Sequence, residues 1–146
     1  MKSESSFDYH IFSSNPTPPK GKAAAFNLIY LSKGNLMCGK RDSYTSVESG
    51  ELALIPPKTL CDYTTNEKVK SSEAEGICLT IYPSFMKRLS ANFPEFADVV
   101  SHIQTIKQPT KFLSTQKEQI IKELKEMEEV SNAERIPHLL NILCCL

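Results

Sequence analysis

Short runs of alternating residues fill the first half of the chain. Residues 26–31, FNLIYL, repeat with a period of two, which is typical of a β-strand. Two further apolar runs, at residues 36–38 and 52–55, each follow a turn that contains glycine. Pro56-Pro57 ends the last run, because proline has no N–H to donate to a sheet. The pattern predicts a small antiparallel barrel or sandwich, either hollow or packed solid.

Further strands are predicted on both sides of this region. Phe7, Tyr9 and Ile11 alternate within residues 1–12, as in an edge strand. Residues 13–22 are rich in proline, serine and glycine, so we expect a loop there, and the polar residues 65–75 indicate an exposed connection. The run GICLTIY at 76–82 predicts a buried strand that Pro83 ends.

The second half of the chain has helical patterns. Residues 84–93 and 96–103 each predict a short helix, and residues 104–113 are expected to be irregular. A longer helix is predicted from Thr115, which forms a T-x-x-E capping box with Glu118. Apolar residues then recur at helical spacing until residue 131.

A final helix is predicted from Ile136, with Pro137 in its first turn, where proline is tolerated. Its apolar residues cover nearly its whole circumference, which predicts burial on several sides. It reaches Leu146 with no glycine cap, so we expect a piece of a longer protein into which the helix continues.

Composition narrows the class of protein. A chain of 146 residues, 40% hydrophobic, is predicted to form one globular domain. It has 17 lysines and arginines against 17 acidic residues, so charge gives no reason for this segment to bind nucleic acid. The polar beginning MKSESSFDYH has no apolar signal core, and no apolar run could span a bilayer, so a cytoplasmic protein is expected.

The five cysteines are an odd number and no CxxC spacing occurs, so we expect no disulfide framework and no zinc site. Their apolar surroundings favour buried free thiols, and redox sensing through Cys144 and Cys145 stays open. No nucleophile triad, phosphate loop or carboxylate pair points to catalysis, and the acidic residues of 118–129 fit a solvated helix face. The sequence therefore predicts a protein that is not an enzyme.

The order of these elements resembles the N-terminal regulatory half of AraC/XylS-family transcriptional activators. The resemblance rests on the turn at 32–34, on GELALIPP at 50–57, and on LTIYPSFMKRL at 79–89, and it covers residues 24–146. It implies an α+β fold: a cupin-like barrel with short helices at 1–108, then a helical pair at 109–146 that dimerises. It also implies a DNA-binding helix-turn-helix domain, which this chain does not contain.

The histidines depart from the metal-binding relatives. Where those relatives carry a histidine after the Pro-Pro turn, this chain has Cys61, and His10, His102 and His138 lie far apart in sequence. We therefore expect no metal and no cofactor. The chain looks closest to the virulence-type branch, whose members respond to fatty acids or small anions, or to protein anti-activators. Asn27 stands near the place where fatty-acid-responsive relatives carry a lysine.

Candidate ligand-binding residues are polar or aromatic positions of the predicted barrel, each of which could equally serve packing or solvation: Asn27, Tyr30, Lys33, Leu54, Tyr63 and Tyr82. Lys33, Lys40, Arg41 and Lys58 fall at predicted turns, where they could form a basic rim for an anionic ligand or be solvated.

Candidate homodimer contacts are Ile120, Ile121, Leu124 and Met127, which share one face of the helix at 115–131. Internal packing would use the same residues, and the family resemblance favours the dimer. Three functions follow: a ligand-sensing, dimerising regulatory domain of an activator, the same fold held by a protein anti-activator, and a stand-alone cupin-type enzyme.

Overall fold

The computed structural model describes residues 6–12, 24–40, 43–62 and 74–146. This part contains eight strands, in chain order β1 (Phe7–Phe12), β2 (Phe26–Lys33), β3 (Leu36–Lys40), β4 (Ser43–Val47), β5 (Leu52–Ile55), β6 (Leu60–Asp62), β7 (Glu75–Ile81) and β8 (Thr110–Phe112). Its four α-helices are α1 (Pro83–Asn92), α2 (Ala97–Gln104), α3 (Ser114–Glu126) and α4 (Asn132–Cys145). The α+β class predicted from the sequence is confirmed.

The strands form two antiparallel sheets. The first has five strands in the order β1-β7-β2-β5-β8, and the second has three in the order β4-β3-β6. A closed barrel, as the sequence predicted, is not found among the described strands: no ladder of hydrogen bonds joins the two sheets. The open sandwich arises because β2 and β3, although joined by a tight turn, pair with different partners.

The five-stranded sheet is buried on both faces. On one face, Ile29 of β2 and Ile55 of β5 pack with Leu36 and Val47 of the second sheet. On the other face, the alternate residues of the same strands pack against the four helices in a larger cluster that includes Leu28. Burial on both faces explains why β2, β5 and β7 are almost continuously apolar.

Three short strands were not predicted from the sequence. β4 and β6 flank β3, and β8 lies within 104–113, which was expected to be irregular. β8 pairs with β5, so the segment 109–146 contributes a strand as well as helices. β6 and β8 have three residues each, too few to show a period of two, and the sequence of β4, SYTSV, is mostly polar. All three are defined by their pairing partners.

The helices begin at different residues from those predicted. No side chain caps α3, whose N-cap is Leu113, and Thr115 lies inside its first turn, so the predicted capping box is wrong. α4 begins at Asn132 rather than near Ile136, which places Pro137 inside the helix. Its N-cap is Ser131, whose hydroxyl accepts from the Glu134 N–H at 3.4 Å. The predicted break between α3 and α4 is confirmed.

The cysteines differ in burial. Cys38 and Cys78 are buried, as predicted, whereas Cys144 is exposed and Cys145 half-buried. The sequence predicted that α4 is buried on several sides. Leu139, Ile142 and Leu143 of α4 enter the core, and Cys144 faces out. The predicted connection at 65–75 falls largely outside the described residues.

A glycine allows the central strands to approach closely. A Cβ placed on Gly76 of β7 would lie 2.0 Å from the carbonyl oxygen of Tyr30 in β2. Any side chain there would push β2 away from β7. Gly76 therefore fixes the position of Tyr30, which lies at the candidate site. No described helix combines the length and the hydropathy that a membrane span requires.

Candidate functional site

Asn27 lies between the two sheets, on the same face of β2 as Ile29. Its amide is buried, and it donates to the Ala25 carbonyl at 3.3 Å and accepts from the Thr80 hydroxyl at 2.8 Å. Thr80 is its neighbour across the β2–β7 ladder. Since these partners lie within the chain, the buried amide does not require a ligand.

Tyr30 and Leu54 lie on the opposite face of the same sheet, toward the helices. Leu54 is fully buried in the core beneath the helices, so it lines no cavity among those described. Tyr30 is half-buried at the edge of that core, where the Lys125 ammonium lies 5.6 Å from the centre of its ring. Asn27 and Tyr30 therefore cannot contact one ligand molecule, because the sheet separates them.

The other predicted ligand residues are further apart. Lys33 is exposed at the end of β2, and Tyr82 is the N-cap of α1, where its hydroxyl donates to the Asp8 carboxylate. Tyr63 lies outside the described residues. Of the predicted basic rim, Lys58 is exposed. Arg41 and the side chain of Lys40 lie outside the described part.

The predicted dimer contacts are mostly internal. Ile120, Leu124 and Met127 are completely buried in the cluster between the five-stranded sheet and the helices. Because they are covered within the chain, they offer no exposed surface to a second copy. Ile121 is only half-buried, and it faces a groove. Helical spacing identified the apolar face of α3 but could not identify what covers it.

A groove of about 520 Å³ runs between α3 and the sheet. Tyr30 and Ile121 supply its apolar surface, and Gly50 closes the end near β5. Gly50 has a φ of 85°, which an L side chain rarely adopts. Tyr30 and Ile121 are thus the predicted candidates that the structure brings together.

Charged side chains border this groove. Lys117, Lys122 and Lys125 line it together with Glu118 and Glu126, a net charge of +1 from three lysines against two glutamates. None of the three lysines forms an ion pair within the described residues. The groove therefore offers ammonium groups beside an apolar surface, which suits an amphipathic anion.

A second cavity, of about 450 Å³, lies between β1 and the start of α4. Tyr9 and Arg135 both line it. The Tyr9 hydroxyl donates to the Leu124 carbonyl at 2.6 Å, and the Arg135 guanidinium lies 4.5 Å from the centre of its ring. Burial, and secondarily the charge of Glu128, raise the pKa of Tyr9 to about 12, against a smaller opposing effect of Arg135. The polar groups here bind one another, so the cavity is structural.

The seam between α3 and α4 contains a cluster that the sequence analysis missed. The Nδ1 atom of His138 lies 2.5 Å from Glu123 Oε2 and 3.7 Å from Glu126 Oε2. Asn141 donates to the other carboxylate oxygen of Glu123 at 3.4 Å. One ligand atom from each of Glu123, Glu126 and His138 lies within 4.8 Å of the others, so these residues could hold a metal ion.

The sequence contains part of the evidence for this cluster. Glu123 and Glu126 are three residues apart, a spacing that places both on one face of a helix. Nothing in the spacing links them to His138, because the pairing of α3 with α4 brings the histidine there. The expectation that acidic residues of 118–129 face only solvent is wrong for Glu123, which is half-buried.

Comparison with solved structures finds a likeness to ToxT from Vibrio cholerae. An apo lysine-to-alanine variant matches with a TM-score of 0.51 and 8% identity, over 95% of this chain and 54% of that chain. ToxT bound to (E)-4-(8-methylnaphthalen-1-yl)but-3-enoic acid matches at 0.44 and 12%, over 95% and 51%. A further crystal form matches at 0.41 and 12%, over 93% and 49%.

The likeness to the ToxT variant is one of fold. This chain spans about half the length of the ToxT structures. No family model matches the sequence, and no curated protein matches it.

Proposed function

We propose that this chain is the ligand-sensing regulatory domain of an AraC-type transcription activator. The likeness in fold to ToxT, an AraC-family virulence regulator, supports the family. The groove beside α3 supports the sensing role, and the ligand assignment is based on this groove. In this proposal the ligand is a carboxylic acid with an apolar body.

The groove has an apolar surface and a border of lysines, and the ligand assignment rests on this combination. The Tyr30 ring and the Ile121 side chain remove an apolar body from water. The lysines at the border attract a carboxylate, and Lys125 already lies near the Tyr30 ring. An uncharged ligand would leave these ammonium groups unused, so the groove favours an acid over its ester.

Sensing requires that ligand binding in the groove change the structure at another place in the molecule. α3 presents Lys117, Ile121 and Lys125 to the groove and Ile120 and Leu124 to the core. A ligand that draws α3 toward the sheet therefore acts on the packing of α3 against α4. We infer that α4 transmits this change to a DNA-binding domain outside this chain, which is coupling between two sites.

The partners in this proposal follow from charge and burial. The neutral chain leaves DNA contact to the helix-turn-helix domain, in the cytoplasm. The protein acts as a homodimer through a face other than that of Ile120, Leu124 and Met127, which is used internally. The proposal includes no catalytic step.

The test is calorimetric titration with (E)-4-(8-methylnaphthalen-1-yl)but-3-enoic acid and with its methyl ester. The Lys122→Gln/Lys125→Gln variant should bind the acid about tenfold more weakly or worse, because a hydrogen bond to a charged group contributes ~1.5–3 kcal/mol. The ester should bind wild type and variant alike.

The matched control is Lys87→Gln/Lys107→Gln, which removes two exposed lysines that lie away from the groove. It should bind the acid as the wild type does. Equal affinity of both double variants for the acid, or no preference of the wild type for acid over ester, would reject the groove as the sensing site.

A further inference from the structure

The seam between α3 and α4 gathers more negative charge than its neighbours balance. Glu123 and Glu126 contribute two carboxylates, and the Nδ1 atom of His138 lies within 4.0 Å of both. Within the described residues, neither carboxylate forms an ion pair with a lysine or an arginine. A neutral histidine therefore leaves this cluster with two negative charges, which matches a divalent cation.

The three groups are the right kind of ligands for a transition metal. Zinc is bound by imidazole nitrogen and carboxylate oxygen at about 2.0–2.2 Å, which places tetrahedral ligand atoms about 3.4 Å apart. The distances from His138 Nδ1 to the carboxylates of Glu123 and Glu126 are 2.5 Å and 3.7 Å. A shift of about 1 Å in the Glu123 side chain would bring its distance from His138 Nδ1 to that value. Calcium, which prefers all-oxygen sites, fits less well.

The surroundings of the cluster support ligand roles for its members. The side chains of Glu123 and His138 are only 20% and 22% exposed, and that of Glu126 is 46% exposed. Asn141 of α4 holds the second oxygen of Glu123, which orients this carboxylate as a supporting residue does in metal sites. One half-exposed ligand leaves a path for the ion to enter from solvent.

We propose that Glu123, Glu126 and His138 bind a Zn²⁺ ion that joins α3 to α4. The ion lies between His138 Nδ1 and Glu123, the histidine binds it as a neutral imidazole with its proton on Nε2, and any proton held on Nδ1 before binding is released to solvent. Three protein ligands leave the fourth position to water. Because the ion contacts both helices, it stabilises the pair that the proposed activator would use to pass on its signal.

The test is zinc titration of the purified chain, followed by calorimetry and by thermal unfolding. A Cys144→Ser/Cys145→Ser background removes the two nearby thiols, which could bind zinc by themselves. Zinc should bind with one ion per chain and raise the midpoint of unfolding. Substitution by Co²⁺ should give a visible spectrum without thiolate absorption.

Variants should follow a graded order. Glu126→Gln and His138→Gln should weaken zinc binding more than Asn141→Ala, for which a supporting role predicts a roughly 10–100-fold loss. Glu126→Gln is the variant whose folding is least at risk, since its side chain is the most exposed of the three. The matched controls are Glu129→Gln and His10→Gln, both at exposed residues outside the cluster.

The outcomes separate the alternatives. Loss of zinc binding in Glu126→Gln and His138→Gln, with both controls unchanged, supports the site. Equal zinc binding by wild type and His138→Gln would overturn it, as would a wild type that binds no zinc at micromolar concentration. Zinc binding that vanishes in the Cys144→Ser/Cys145→Ser background would assign the ion to these two thiols instead.

Discussion

Tyr9 shows how one side chain fixes the position of several elements. Its ring is part of the cluster beneath the helices, its hydroxyl donates to the Leu124 carbonyl of α3, and the Arg135 guanidinium of α4 lies over its ring. Arg135 also donates from Nε to the Met127 carbonyl at 2.7 Å. Through Tyr9, the edge strand β1 is joined to both α3 and α4.

The phenol of Tyr9 should make stability depend on pH in alkaline solution. Burial raises its pKa from 10.0 to about 12, so the folded state favours the neutral phenol. This contribution is complete below pH 10 and is lost as the pH rises from 10 toward 12. At pH 8 we expect Tyr9→Phe to have a lower urea midpoint than the wild type. Its free energy of unfolding should be lower by ~0.5–1.5 kcal/mol because the hydrogen bond is lost. The difference should shrink above pH 10.

The control for this prediction is Tyr44→Phe, since Tyr44 is exposed on β4. Its urea midpoint should equal that of the wild type at pH 8 and should fall in parallel with it at higher pH. A Tyr9→Phe curve that also stays parallel to the wild type would show that the phenol does not titrate differently in the folded state.

The boundary between α3 and α4 depends on a single serine. Ser131 caps α4: its hydroxyl accepts from the Glu134 N–H and donates to the Glu134 carboxylate at 3.0 Å. The same S/T-x-x-E pattern occurs at Thr115 and Glu118, where the structure has no cap. Local sequence cannot choose between the two, because β8 and the extended N-cap residue Leu113 decide where α3 begins.

Removing the Ser131 hydroxyl should destabilise α4. Ser131→Ala is expected to lower the free energy of unfolding by ~0.5–2 kcal/mol, since it leaves a helix N-terminal N–H without its acceptor. Ser131→Asp keeps an acceptor at the N-cap and should stay within a few tenths of a kcal/mol of the wild type. Thermal unfolding followed by circular dichroism measures both. Equal losses in the two variants would show that the cap contributes nothing.

The complete fold is a sheet between two apolar layers. The second sheet covers one face and the helices cover the other, so α3 is an internal element along its apolar side. Its opposite side carries the groove and the metal-binding candidates. One helix therefore belongs to the core, to the proposed sensing site and to the seam with α4.

Burial of α3 leads to a prediction that separates internal packing from dimer contact. Leu124→Ala should lower the free energy of unfolding by ~2–5 kcal/mol, because it opens a cavity in a closed core. Ile121→Ala, at the half-buried groove, should cost roughly 1 kcal/mol, because only part of its side chain leaves water. Denaturant unfolding and light scattering give stability and mass together. A Leu124→Ala protein of lower mass and unchanged stability would instead place Leu124 at an interchain contact.

Much of the fold could be predicted from particular residues. The alternation at 26–31, the run at 76–82 and the helical repeat of α3 gave their elements correctly, because each pattern is long enough to show its period. The three-residue strands β6 and β8 could not be predicted, since their conformation is fixed by a neighbouring strand. Two residues of the groove, Tyr30 and Ile121, were predicted to be functional. Tyr30 was predicted to bind a ligand, whereas Ile121 was predicted to contact a second copy.

The sequence by itself determined which residues leave water and which elements they form, because burial and periodicity are properties of neighbouring residues along a chain. Only the tertiary structure decided which apolar faces meet. It placed Asn27 and Tyr30 on opposite sides of one sheet, buried Leu124, and brought His138 to Glu123. These pairings depend on contacts between residues distant in sequence, and residue spacing carries no information about such contacts.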